Sequence, residues 1–97
     1  MIAVVAILEV KPGMEKDMEA AFSAYMKKVR TEEGTLTYMV NRAQKNPAKF
    51  LIYETYRDRD ALSFHGSTEY FMELFTAIAP LFAKDPVIET YDIIAAK

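Results

Sequence analysis

The amino-acid sequence predicts an α+β fold: a four-stranded antiparallel sheet with its helices on one face, in the ferredoxin-like order β-α-β-β-α-β. Three observations predict it. The spacing of apolar residues switches along the chain between the strand period of two and the helix period of about 3.6. Pro, Gly and Asn punctuate the segments at short intervals. A length of 97 residues suits one domain, so residues 1–97 are read as a single unit, with no repeat, low-complexity tract or linker.

Ile2 to Val10 (IAVVAILEV) is a nearly unbroken apolar run, and its β-branched content and length favour a strand. Lys11-Pro12-Gly13 breaks it. From Met14 the period changes: Met14, Met18, Phe22, Tyr25 and Val29 form one helical stripe. Acids stand in its first turn and bases in its last, as the helix dipole prefers, and Gly34 is the expected stop. Thr35 to Ala43 alternates around Leu36, Tyr38 and Val40, Asn46-Pro47 reads as a turn, and Phe50 to Tyr56 (FLIYETY) completes a hairpin. Asp58 is placed to cap a short helix running through His65 and ending at Gly66. Ser67 then starts a second helical segment with the stripe Phe71, Leu74, Phe75, Ile78 and Phe82, ended late by Pro80. Pro86 precedes a last strand, Val87 to Ala95.

A sheet with one wet face should alternate apolar and polar residues. The first strand does not. Ile2, Val4, Ala6 and Leu8 point one way, and Ala3, Val5 and Ile7 the other. The third strand places Phe50, Ile52 and Tyr56 on one face and Leu51 and Tyr53 on the opposite one. The helices can cover only one face. The simplest cover for the second is the same face of another copy, so the expected assembly is a homodimer whose two sheets form a barrel-like body.

Composition narrows the function. The net charge of −2 and the lack of a basic stripe argue against nucleic acid. Cysteine is absent, which removes disulfides and thiolate catalysis, and a single histidine removes a histidine-rich metal cage. No apolar run approaches the roughly 20 residues of a bilayer crossing. The N-terminus reads directly into a strand, so the expected location is the cytoplasm. No P-loop, GxGxxG, GxSxG, HExxH or EF-hand pattern occurs, and no cofactor or metal is expected.

Glu33-Gly34 followed by Tyr38, then Glu54 with Tyr56, Ala61-Leu62, His65, Ser67 and the pair Tyr70-Phe71 resemble the antibiotic-biosynthesis-monooxygenase (ABM) family. The stretch YETYRDRDALSFHGSTEYF carries most of this likeness, which extends over the element order of the whole chain. The resemblance implies a dimeric α+β barrel enclosing a pocket for a small, largely apolar molecule. Members of the family oxidise quinols or aromatic polyketides with oxygen without metal or flavin, degrade haem, isomerise small phosphorylated sugars, or have no assigned activity, so the resemblance implies the fold more narrowly than the chemistry. Haem-degrading relatives use an asparagine near the end of the first strand and a histidine in the last long helix. Here that strand has no asparagine, and Leu74-Phe75 occupy the helical stretch.

The residues single out a small set for catalysis. His65 alone has an ordinary pKa near neutrality, so it could take or orient a phenolic proton, or else cap its helix. Glu54 lies inside an apolar strand and must be paired or titrate high. It could hold His65 or a substrate hydroxyl, or form an ion pair with Arg42 or Arg57. Tyr38, Tyr56, Tyr70 and Phe71 offer flat walls for a small aromatic substrate, or ordinary core. Three functions follow from these: a cofactor-independent monooxygenase acting on a quinol or hydroxylated aromatic, a proton-transferring isomerase using His65 and Glu54, and a non-catalytic binder of a hydrophobic metabolite.

Overall fold

In a computed structural model describing residues 1–97, the chain folds as β1 (Ile2–Glu9), α1 (Glu15–Val29), β2 (Thr35–Ala43), β3 (Asn46–Tyr56), α2 (Arg59–Gly66), α3 (Glu69–Ile78), a 3-10 turn (Ala79–Leu81) and β4 (Val87–Asp92). The strands pair antiparallel in the order β2-β3-β1-β4. This is the expected arrangement, with the second helical unit broken in two.

The break has a local cause. The Ser67 hydroxyl donates back to the Phe64 carbonyl at 2.8 Å and finishes α2. Thr68, extended at φ −76° and ψ 151°, starts α3, and its hydroxyl accepts from the Phe71 amide at 3.2 Å. The N-cap is thus Thr68, one residue beyond the expected Ser67. Asp58 does cap α2, accepting from the Ala61 amide at 2.9 Å. The β2–β3 turn is Gln44-Lys45; Asn46 and Pro47 already belong to β3, with Asn46 opposite Ala43. The last strand ends at Asp92 rather than Ala95, because β4 pairs only with β1 and Asp92 faces Ile2, where β1 begins.

Register sorts the side chains. Val4, Tyr38 and Thr90 flank Glu54 in one cross-strand row, and Ala6, Val40 and Ile88 align with Ile52 in the next. These rows face the helices, where Met18, Phe22, Tyr25 and Val29 of α1 and Leu74 and Ile78 of α3 close the core. The opposite face carries Ala3, Val5, Ile7, Leu51 and Tyr53, with Met39 and Tyr91 nearly half exposed at its margins. It is the apolar second surface that the sequence predicts, and no helix of the single chain packs on it.

Gly34 does not stop α1, whose last residue is Val29. It lies in the following loop against α2: a Cβ added there would run into the Ala61 side chain. Glycine therefore lets the Glu32–Gly34 loop and α2 touch, which brings His65 beside Glu32.

Candidate active site

Between the sheet and the helices lies a cavity of about 190 Å³. Its walls are mostly apolar, among them Leu8, Phe22, Leu74, Phe75 and Ile78. The polar lining residues are few: Glu54, Tyr38, His65 and Thr90. The register places Tyr38, Glu54 and Thr90 in one cross-strand row, while Leu8 lies four residues further along β1, roughly 13 Å away at the strand rise. The cavity therefore has a hydrogen-bonding end and a greasy end, and no lysine or arginine lines it.

Glu54 is buried at 8 % exposure. Neither arginine considered from the sequence pairs with it: Arg42 meets Glu19 at 2.8 Å and Arg57 meets Asp58 at 3.5 Å. Its partner is Tyr56, two residues on along the same face of β3, whose hydroxyl donates to Oε1 at 2.5 Å. Burial raises the Glu54 pKa above the ordinary carboxylate value. The Tyr56 hydrogen bond and the nearby His65 charge pull it down, and the Glu32 charge pushes it up. Burial makes the Glu54 carboxylate a stronger base, able to accept a proton from a hydroxyl group bound in the cavity. Burial, followed by the Glu54 charge, pushes the phenols of Tyr38 and Tyr56 far up, so both stay protonated.

His65 is 2 % exposed and lies one helical turn beyond Ala61 on the buried side of α2. Both ring nitrogens are engaged. Nδ1 lies 2.8 Å from Glu32 Oε1, and Nε2 lies 2.7 Å from the Tyr25 hydroxyl. The rings of Tyr38, Tyr56 and Phe71 pack around the imidazole with centroids 5.4–5.6 Å away. Glu32 also accepts from the Thr35 hydroxyl at 2.5 Å and from the Tyr70 hydroxyl. Burial would raise its pKa, but the bonds from Thr35, Tyr70 and His65 together with the His65 charge hold it below the ordinary value. The Tyr70 phenol is pushed up to about 12 by burial and by its carboxylate acceptor.

Of the six residues selected from sequence, His65, Glu54, Tyr38 and Phe71 line the cavity. Tyr56 lies against it as the donor to Glu54. Tyr70 faces an outer groove between α1 and α3 and reaches the site only through Glu32. Sequence reasoning did not single out Glu32, Thr90 or the polar role of Tyr25. Tyr25 was detectable, since a phenol on a buried helical stripe needs a partner. Glu32 carried no such signal, standing beside an equally acidic Glu33 between helix and strand. No group of three or more acidic or histidine side chains is arranged to hold a metal ion.

Comparison with known proteins places this geometry. A structure from Caulobacter crescentus, described as a candidate antibiotic biosynthesis monooxygenase, is 36% identical, with a TM-score of 0.92 over 97% of this chain and 90% of that one. One from Nitrosomonas europaea with the same description superimposes with a TM-score of 0.93 over 98% of this chain and 100% of that one, and at 18% identity shows the shared fold. An uncharacterized protein of Synechocystis is 30% identical over 92 residues; the match covers 95% of this chain but only 63% of that longer relative. Residues 1–77 match the family model for antibiotic biosynthesis monooxygenase, which covers the cavity except for its β4 wall and the last residue of α3, and the chain therefore belongs to the antibiotic biosynthesis monooxygenase family.

Proposed function

We propose that this protein is a cofactor-independent monooxygenase that oxidises a small quinol or other hydroxylated aromatic with molecular oxygen. One observation carries the reading: a buried carboxyl, Glu54, stands at the polar end of a mostly apolar cavity that no lysine or arginine lines. An aromatic ring fits the greasy end, and its hydroxyl meets Glu54 and Tyr38 at the other. Glu54 takes the phenolic proton, and Tyr38 donates to the oxygen that becomes negative. His65, on the same wall, supports that anion when it is itself charged. The electron-rich ring then reduces oxygen. For a hydroquinone, one oxygen atom replaces a ring hydrogen, the ring leaves as the hydroxyquinone, and the second oxygen atom leaves as water, so the substrate supplies every electron.

The working unit in this reading is a homodimer joined through the open face of the sheet. That face is apolar at Val5, Ile7, Leu51 and Tyr53, and exclusion of water from the sheet would stiffen the cavity wall behind it. An isomerase using Glu54 and His65 draws on the same groups, but a phosphorylated substrate would find no lysine or arginine in the lining.

Oxygen uptake by metal-stripped protein with a panel of hydroquinones tests the proposal. Uptake with quinone formation is the expected result. Tight binding of the panel without uptake would identify a binding protein and overturn it.

A further inference from the structure

The chemistry proposed at Glu54 leaves a second buried carboxylate and a buried phenol without a role. Glu32 and Tyr25 sit on opposite nitrogens of one imidazole, at 2.8 Å from Nδ1 and 2.7 Å from Nε2. Every other polar contact of Glu32 is a donor: the Thr35 hydroxyl on Oε1 and the Tyr70 hydroxyl on Oε2. A carboxylate that accepts several hydrogen bonds is held in its ionised form. An ionised acceptor leaves Nδ1 only one role, to carry the ring proton. Neutral His65 then turns its lone pair at Nε2 toward Tyr25, whose O–H donates to it. The order hydroxyl–imidazole–carboxylate is the one by which a carboxylate orients a histidine and stabilises the imidazolium in hydrolytic triads.

We infer that Glu32 and Tyr25 are positioning residues: Glu32 fixes His65 in the Nδ1–H tautomer and balances its charge once Nε2 is protonated, and Tyr25 reverses its hydrogen bond to receive that charge. This rests on the reading of His65 as the cationic support of a substrate anion, and deepens it. On protonation, Nε2–H donates to the phenolic oxygen, and the Tyr25 hydroxyl rotates its own hydrogen away from the ring. The groups facing the imidazole are Glu32 from the α1–β2 loop, Tyr25 from α1, Tyr38 from β2, Glu54 and Tyr56 from β3, and the neutral Phe71 from α3. Only two of them are carboxyls, and of these only Glu32 is hydrogen-bonded to the ring.

His65 is the sole histidine of the chain, so its ring nitrogens give an unambiguous 15N NMR signature. The wild-type spectrum should show Nδ1 protonated and Nε2 bare in the neutral form. Glu32→Gln, whose amide can turn either an oxygen or an N–H toward Nδ1, should mix the two neutral tautomers of His65. Tyr25→Phe should leave the tautomer unchanged while shifting the Nε2 resonance toward that of an unbonded ring nitrogen. A proton on Nε2 in the wild type, which needs no substitution to observe, would overturn the inference. So would a Glu32→Gln protein whose His65 keeps the single Nδ1–H tautomer. If the NMR results are as expected but no hydroquinone drives oxygen uptake, the clamp stands and the monooxygenase reading falls. If uptake persists with the same pH profile in Glu32→Gln, the positioning role falls and the monooxygenase reading stands.

Discussion

Two buried carboxyls, 22 positions apart in the sequence, are driven in opposite directions by their surroundings. At Glu54 burial outweighs the single strong donor, Tyr56, and the pKa rises; at Glu32 two hydroxyl donors and a histidine outweigh burial, and it falls. The signs fix the pH behaviour. A raised folded-state pKa stabilises the fold below the ordinary value of 4.5, and that contribution is lost as pH rises through the raised value. A lowered one stabilises above 4.5 and is lost as pH falls through the lowered value. Glu54→Gln removes a charge the fold disfavours and keeps an oxygen that can accept from Tyr56. Thermal melts should therefore show the variant gaining stability over the wild type near pH 8, with the gain vanishing below the ordinary carboxylate value. Oxygen uptake should meanwhile drop by about a hundredfold or more, the scale of a lost general base. A variant that is no more stable at pH 8 would mean that Glu54 is not a strained carboxylate.

At the scale of elements, the periodicity of the sequence was enough to place four strands and the broken helix, because burial on one face imposes a period that survives in the residue types. The boundaries were less legible. Whether Ser67 or Thr68 caps α3 depends on which hydroxyl turns back to Phe64, and both residues satisfy the same preference. The end of β4 depends on where its partner β1 starts, which is information from the other end of the chain. The polar half of the site was the least legible part. Glu54 and His65 stood out as polar residues among apolar ones, whereas Glu32 turns inward only because α2 approaches its loop at Gly34. That approach is testable. Gly34→Ala should cost roughly 1–3 kcal/mol, the scale of overpacking, since its Cβ meets the side chain of Ala61, itself buried in a small cluster with Val4 and Tyr56. Denaturant melts of a cycle with Ala61→Gly should return part of the loss, because the second change removes the clashing methyl. Purely additive costs would show that the loop and helix do not press on one another.

For the molecule as a whole, the sequence revealed an apolar surplus: a central strand greasy on both faces, in a chain with helices enough for one. The structure keeps that surplus in view. Val5 and Tyr53 face each other across β1 and β3, with Ile7 and Leu51 in a neighbouring row, on the side of the sheet that no helix reaches. Contiguous apolar surface of this kind is rare on a lone soluble chain and common at interfaces between copies. Glu89 stands beside Val5 on β4, so an aspartate at position 5 would lie next to an existing carboxylate as well as inside the proposed interface. Val5→Asp should therefore convert a dimer to monomer at micromolar concentration in sedimentation velocity. Tyr53→Asp should do the same from the neighbouring strand. Both changes sit behind the cavity rather than in it, so a protein that remains dimeric with either aspartate must assemble through some other surface. A wild type that sediments as a folded monomer on dilution would show instead that one layer of helices is cover enough.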